Sequence, residues 1–312
     1  MSRIHEALRK AAQERAAIPT PDPSGVLLER VAAGTASGEG GTAEAATAIP
    51  ISPVGDLHFG HLLAQCARPK WHPDSNLNVF SNPESGVEGA EQFRTLRSRL
   101  YQLRNSQPLR ALLVTSAIPG EGKTFVAHNL AQAIVRQSER RALLIDADLR
   151  RPRLHLALGA PAAPGLADYL RGTASEMEII QHGQEANLCF IPGGKQAGNP
   201  SELLSSGKLK TLLERVTPIF DWIILDSPPC VPVADAHILS EFCDGVLLVV
   251  RAGATRAEVA HRACQELKAR NVVGVVLNAV EKPHLRGSLY YYQGSTYVYD
   301  SAGPAATGAQ AS

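Results

Sequence analysis

An α/β domain with a doubly wound, mostly parallel sheet is predicted by three features of the chain. Apolar runs recur at 111–114, 142–145, 188–191, 222–225, 245–250 and 272–277. They are nearly continuous rather than alternating, which suits strands buried on both faces. Helical stretches separate them, so strand and helix alternate as a parallel sheet requires. The third feature is a glycine-bearing loop, Thr115-Ser116-Ala117-Ile118-Pro119-Gly120-Glu121-Gly122-Lys123-Thr124, set between the first run and the first long helical pattern. In a sheet of this kind the ligand site lies beyond the strand C-termini.

Taken in order, residues 1–17 place Ile4, Ala7, Leu8 and Ala11 on one helical face. That predicts a short amphipathic helix, too small to be stable alone. Residues 18–78 are assigned to a flexible linker. Up to about Gly60 they are rich in Ala, Gly, Thr, Ser and Pro with little to bury, and 61–78 give an ambiguous pattern. The folded domain is expected over 79–284. Near its start Glu91, Arg94 and Arg97 fall at i, i+3 and i+6 on one helical face. The helix after the loop, 125–136, carries Val126, Leu130, Ala133 and Ile134 at core spacing. Asn199-Pro200 is a cap and first residue for a helix over 201–216, and further helices are expected over 234–243 and 256–270. After Val280 the pattern stops, and 285–312 is expected to be a disordered tail. Five of the seven tyrosines lie in it: Tyr290, Tyr291, Tyr292, Tyr297 and Tyr299.

Composition narrows the class. A net charge of +1 over 312 residues excludes a nucleic-acid surface built on bulk electrostatics. Cys66, Cys189, Cys230, Cys243 and Cys264 are scattered with no metal-ligand spacing, as in a reduced cytosolic protein. The opening residues are charged and lack the apolar core of a signal peptide, and no apolar run approaches the ~20 residues that span a bilayer. The expected location is cytoplasmic, with membrane association supplied by a partner.

The loop carries the chemistry. A strand, a glycine-bearing turn and a helix N-terminus aim backbone N–H groups and the positive helix end at nucleotide phosphates. Lys123 adds a mobile cation there, and the Thr124 hydroxyl is placed to ligate Mg²⁺. Ala117 stands where the first glycine of the usual loop is found, which is tolerable if its φ stays negative. Asp146 and Asp148 follow the second apolar run and Asp226 follows the fourth. Carboxylates at neighbouring strand ends face the phosphates and share the metal, whose charge offsets their desolvation. Phenolic hydroxyls near a nucleotide site are acceptors for a phosphoryl group, which gives the tyrosine cluster a use.

Residues 79–299 resemble the bacterial tyrosine autokinases of capsular and exopolysaccharide synthesis, a branch of the P-loop NTPases. The resemblance rests on Pro119-Gly120-Glu121-Gly122-Lys123, on Asp146-Ala147-Asp148-Leu149-Arg150-Arg151-Pro152, on Asp226-Ser227-Pro228-Pro229 and on the tyrosine-rich tail. It extends to the Glu91, Arg94 and Arg97 pattern, which in the family contributes to ring-like oligomers. It implies ATP and Mg²⁺ as cofactors, with Asp148 and Asp226 joining Thr124 at the metal directly or through water. The nucleotide set is Pro119, Gly120, Glu121, Gly122, Lys123, Thr124 and Phe125, with Asn278 at the adenine by analogy with related P-loop ATPases. Asp146 is assigned to the tyrosine proton, although the three carboxylates are interchangeable at this stage. The implied partners are further copies of the chain, a membrane polysaccharide co-polymerase or chain-length activator, and a cognate tyrosine phosphatase. Two other readings stand beside this one. A ParA/MinD-type ATPase switch typically carries a second lysine early in the loop, where this chain has Ile118; a nucleotide-binding adaptor would not need the lysine and three acids.

Overall fold

The computed structural model describes residues 58–81, 86–267 and 270–280. The N-terminal amphipathic segment, the linker up to residue 57 and all five tail tyrosines lie outside the described residues. The described chain forms a seven-stranded sheet: β1 (Ala111–Ser116), β2 (Ala142–Asp146), β3 (Gln181–His182), β4 (Leu188–Ile191), β5 (Trp222–Asp226), β6 (Gly245–Arg251) and β7 (Val272–Asn278). Their order across the sheet is β3-β4-β2-β5-β1-β6-β7, and every pairing is parallel except β3 with β4.

Burial on both faces explains why the strand sequences read as unbroken apolar runs. Leu113, Leu143, Ile145, Ile223 and Leu225 join the core on one side of the sheet. Leu112, Val114, Leu144, Ile224 and Trp222 join the core on the other. Only β7, at the edge, is half-exposed, with Val275 and Leu277 facing outward.

The helix after the loop, α3 (Lys123–Val135), is buried from Val126 to Val135. Before it come α1 (Phe59–Gln65) and α2 (Gly86–Arg104); between β2 and β4 lie α4 (Leu154–Leu158), α5 (Leu166–Arg171) and α6 (Glu176–Ile179). The later helices are α7 (Pro200–Leu204), α8 (Lys208–Val216), α9 (Asp235–Ser240) and α10 (Ala257–Glu266).

Two expectations need correction. Residues 58–78 are part of the folded domain rather than linker. Leu62 of α1 is fully buried, and Trp71 packs edge-on against Phe190 while its Nε1 donates to Gln181 Oε1 at 3.2 Å. Burying side chains of this size stabilises by roughly 2–3 kcal/mol each. The strap then runs on to α3, where Asn129 accepts the Val79 N–H and donates to the Leu77 carbonyl. The second correction is the helix over 201–216, which is two helices. The first ends at Leu204, and Gly207, at φ +77°, takes the left-handed conformation that starts the second.

His128 on α3 is fully buried, and neither ring nitrogen has a hydrogen-bond partner. Burial, with Arg136 adding to it, lowers its pKa to about 4. The unfolded chain binds a proton near the ordinary histidine value of about 6.5, whereas the folded chain stays neutral until well below it. Stability is therefore lost as pH falls across that window, by on the order of 3 kcal/mol. His128→Leu is expected to melt above the wild type near about pH 5, with the gap narrowing above about pH 7. A pH-independent gap in the melting curves would show that protonation is not the cause.

Candidate active site

Parallel pairing sets Asp146 directly beside Asp226 on neighbouring strands, and Asp226 beside Val114 of β1, whose strand leads into the loop. The tips of β2, β5 and β1 therefore deliver their following residues to one place. Gly120 and Gly122, at φ +86° and +92°, turn the loop there, and a Cβ on Gly122 would collide with the Asn278 amide. Lys123 Nζ lies 2.9 Å from Asp148 Oδ2 and 3.9 Å from Asp226 Oδ1. The Thr124 hydroxyl donates to Asp226 Oδ2 at 2.7 Å. Asp146 Oδ2 accepts the Leu154 N–H at 2.9 Å, which fixes the start of α4, and Gly193 leaves room for Pro152 beside that carboxylate.

Three buried carboxylates face one ammonium group. Burial pulls the Lys123 pKa down, but Asp226, Asp148 and Asp146 together hold it above the ordinary lysine value. Burial raises Asp226 to about 6 despite Lys123 and the Thr124 hydrogen bond, which lower it. Asp146 is pushed well above the usual carboxylate range by burial first and the neighbouring Asp226 second. Asp146 Oδ1 and Asp226 Oδ1 are buried without a hydrogen-bond partner. Buried carboxyl oxygens without a partner, beside a hydroxyl, fit a divalent cation, whose charge would draw these groups into their ionised form.

A family model for the CobQ/CobB/MinD/ParA nucleotide binding domain matches residues 112–292. Tyrosine-protein kinase YwqD of Bacillus subtilis is 35% identical over 220 residues, covering 70% of this chain and 92% of that protein. This chain belongs to the bacterial P-loop tyrosine kinases. Tyrosine-protein kinase etk of Escherichia coli K12 is 33% identical over 213 residues, 68% of this chain but 29% of that larger protein. The kinase domain of the E. coli enzyme superposes with a TM-score of 0.62 at 33% identity, covering 68% of this chain and 83% of that one. The kinase thus spans nearly all of the B. subtilis relative and under a third of the E. coli relative.

The structure brings Lys123, Thr124, Asp146, Asp148 and Asp226 together, and the kinase loop supplies Pro119 to Gly122 around them. Four of the sequence-derived residues also make contacts of their own with the rest of the protein. The Phe125 ring packs against Phe93 of α2 at 5.9 Å, because one residue past Thr124 the helix has turned it toward the core rather than the cradle. The Glu121 carboxylate is committed to the protein, accepting the Ile118 N–H at 2.7 Å and the Thr255 hydroxyl at 2.5 Å. Asn278 Nδ2 donates to the Glu121 carbonyl at 2.9 Å, bracing the loop. On α2, Glu91 and Arg94 pair with each other at the surface. Arg97, a further three residues on, has rotated toward α3 and donates to the Ala133 carbonyl at 2.5 Å.

Sequence reading missed a second ion pair close to the site. Arg150, in the segment after Asp148, forks onto the fully buried Asp235 at 2.7 and 2.9 Å and reaches Ser201 Oγ at 3.1 Å. It ties the β2 loop to α7 and α9. Asp235 gave no signal because its partner is 85 residues away. Among the described residues no helix is long and apolar enough to cross a membrane.

Proposed function

We propose that this kinase transfers the γ-phosphoryl group of ATP to its own tail tyrosines, Tyr290, Tyr291, Tyr292, Tyr297 and Tyr299, and so regulates polymerisation or export of a capsular or exopolysaccharide. The reading is carried by the meeting of Lys123, Thr124, Asp148 and Asp226 within hydrogen-bond or ion-pair reach. Phosphoryl transfer needs positioning and charge neutralisation more than covalent help. The loop N–H groups from Gly120 to Thr124 and the Lys123 ammonium hold the phosphates. Thr124, Asp148 and Asp226 would hold Mg²⁺, which when bound neutralises phosphate charge. The phenolic oxygen forms the new bond to the γ-phosphorus as the bond to the bridging oxygen breaks and ADP departs. The phenolic proton passes to Asp146, whose Oδ1 has no other hydrogen-bond partner.

Support for this role also comes from the relatives named tyrosine-protein kinases. Its partners are a membrane co-polymerase or chain-length activator, which places the kinase at the inner face of the plasma membrane, and a cognate tyrosine phosphatase that resets the tail. Further copies assemble in a ring through Glu91 and Arg94, with Arg97 fixing the helix that presents them. The added negative charge of tail phosphates weakens that ring by repulsion. Mass spectrometry after incubation with Mg-ATP, with and without the activator's cytoplasmic segment, is expected to place phosphate on the tail tyrosines. Absence of tail phosphate in both samples would overturn the reading.

A further inference from the structure

We propose that Glu121 is a positioning residue whose carboxylate latches the phosphate-binding loop to the turn after β6. The side chain is almost fully buried although it lies inside a loop that must face a polar ligand. Each carboxylate oxygen is engaged. Oε2 accepts the Ile118 N–H at 2.7 Å, within the loop itself. Oε1 accepts the Thr255 hydroxyl at 2.5 Å, from the turn after β6, and the Arg251 N–H at 3.3 Å, from the last residue of β6 itself. From the other side Asn278, the last residue of β7, holds the Glu121 carbonyl. Two strands that carry none of the phosphate ligands therefore grip the apex of the loop.

The physical need for a grip lies in the flanking residues. Gly120 and Gly122 both sit at positive φ, and glycine surrenders more conformational freedom on ordering than any other residue. A loop left free would be ordered only when nucleotide arrives, and that cost would come out of the affinity. A buried carboxylate with several donors makes charge-assisted hydrogen bonds, stronger than neutral ones, and orders the loop in advance. The latch acts on binding and leaves the transfer step to Lys123 and the three aspartates. It rests on nucleotide binding by this loop and not on the tyrosine acceptor.

The test titrates the full chain with N-methylanthraniloyl-ADP and Mg²⁺ and measures turnover at saturating ATP. Thr255→Val, which removes the donor but keeps the shape, is expected to weaken binding about tenfold while saturated turnover changes by less than about twofold. Thr255→Ser restores the hydroxyl and is expected to bind within about twofold of the wild type. Glu121→Gln combined with Thr255→Val should bind no more weakly than the worse single variant, because both break the same latch. Circular-dichroism melting of each variant separates loss of fold from loss of binding. Wild-type affinity in a folded Thr255→Val protein, or fully additive effects in the double variant, overturns the latch alone. Failure of the wild-type chain to bind the fluorescent nucleotide overturns the nucleotide reading and the latch with it.

Discussion

Lys123→Met is expected to remove tyrosine phosphorylation, lowering the rate by roughly 100- to 1,000-fold, the usual cost of losing one preorganised charge at a transition state. Methionine keeps the unbranched stem, so the packing of the α3 N-terminus should survive. The ammonium is the cation that faces Asp148 at 2.9 Å and Asp226 at 3.9 Å. Without it, three buried carboxylates face one another uncompensated, and each holds its proton more tightly. The metal-free variant should therefore melt below the wild type at neutral pH, with the deficit shrinking as acid protonates the cluster. Tail phosphate measured by mass spectrometry and melting curves across pH check both halves. Wild-type phosphorylation by Lys123→Met would remove the lysine from the mechanism.

Asp226→Asn is expected to cost comparable activity but to change stability in the opposite direction. Burial, partly offset by Lys123 and Thr124, raises the Asp226 pKa to about 6. The folded state thus binds this proton more tightly than the unfolded state. Wild-type stability in metal-free buffer falls as pH rises from the ordinary carboxylate range through that value, and the penalty is complete above it. Asparagine carries no such penalty, and its side-chain carbonyl can still accept the Thr124 hydroxyl. The variant should melt above the wild type at about pH 7.5 and match it near about pH 4. Mg²⁺ with nucleotide should raise the wild-type melting temperature and leave the variant nearly unmoved. An active variant, or one less stable at neutral pH, would refute the metal-side role. The opposed signs express a general trade: a charge cluster that waits for a cation destabilises the protein until the cation arrives.

How much was legible in the chain varied with the range of the interaction. The loop from Thr115 to Thr124 was readable because its glycines, lysine and threonine act through their own backbone and the adjoining helix. The six main strands were readable because burial on both faces leaves continuous apolar runs. Helices α4, α5 and α6 span four to six residues each and are too short to show a period. The strap around Trp71 was hidden for a related reason. Isolated anchors such as Leu62 and Trp71, separated by polar residues and prolines, have no repeat to detect.

The sequence by itself determined the α/β class, the phosphate-binding loop and the candidate acids at strand ends, since each follows from local pattern. Only the tertiary structure decided which carboxylates meet. The order β2-β5-β1 sets Asp146 beside Asp226 and brings both to Lys123, although β2 and β5 are some 80 residues apart. It also packed the Phe125 ring against Phe93, set Arg97 on the Ala133 carbonyl and made the Glu121 carboxylate a brace. A side chain's type limits what it can do, but its partners are chosen by packing between distant segments. That choice leaves no mark in the spacing of any one of them.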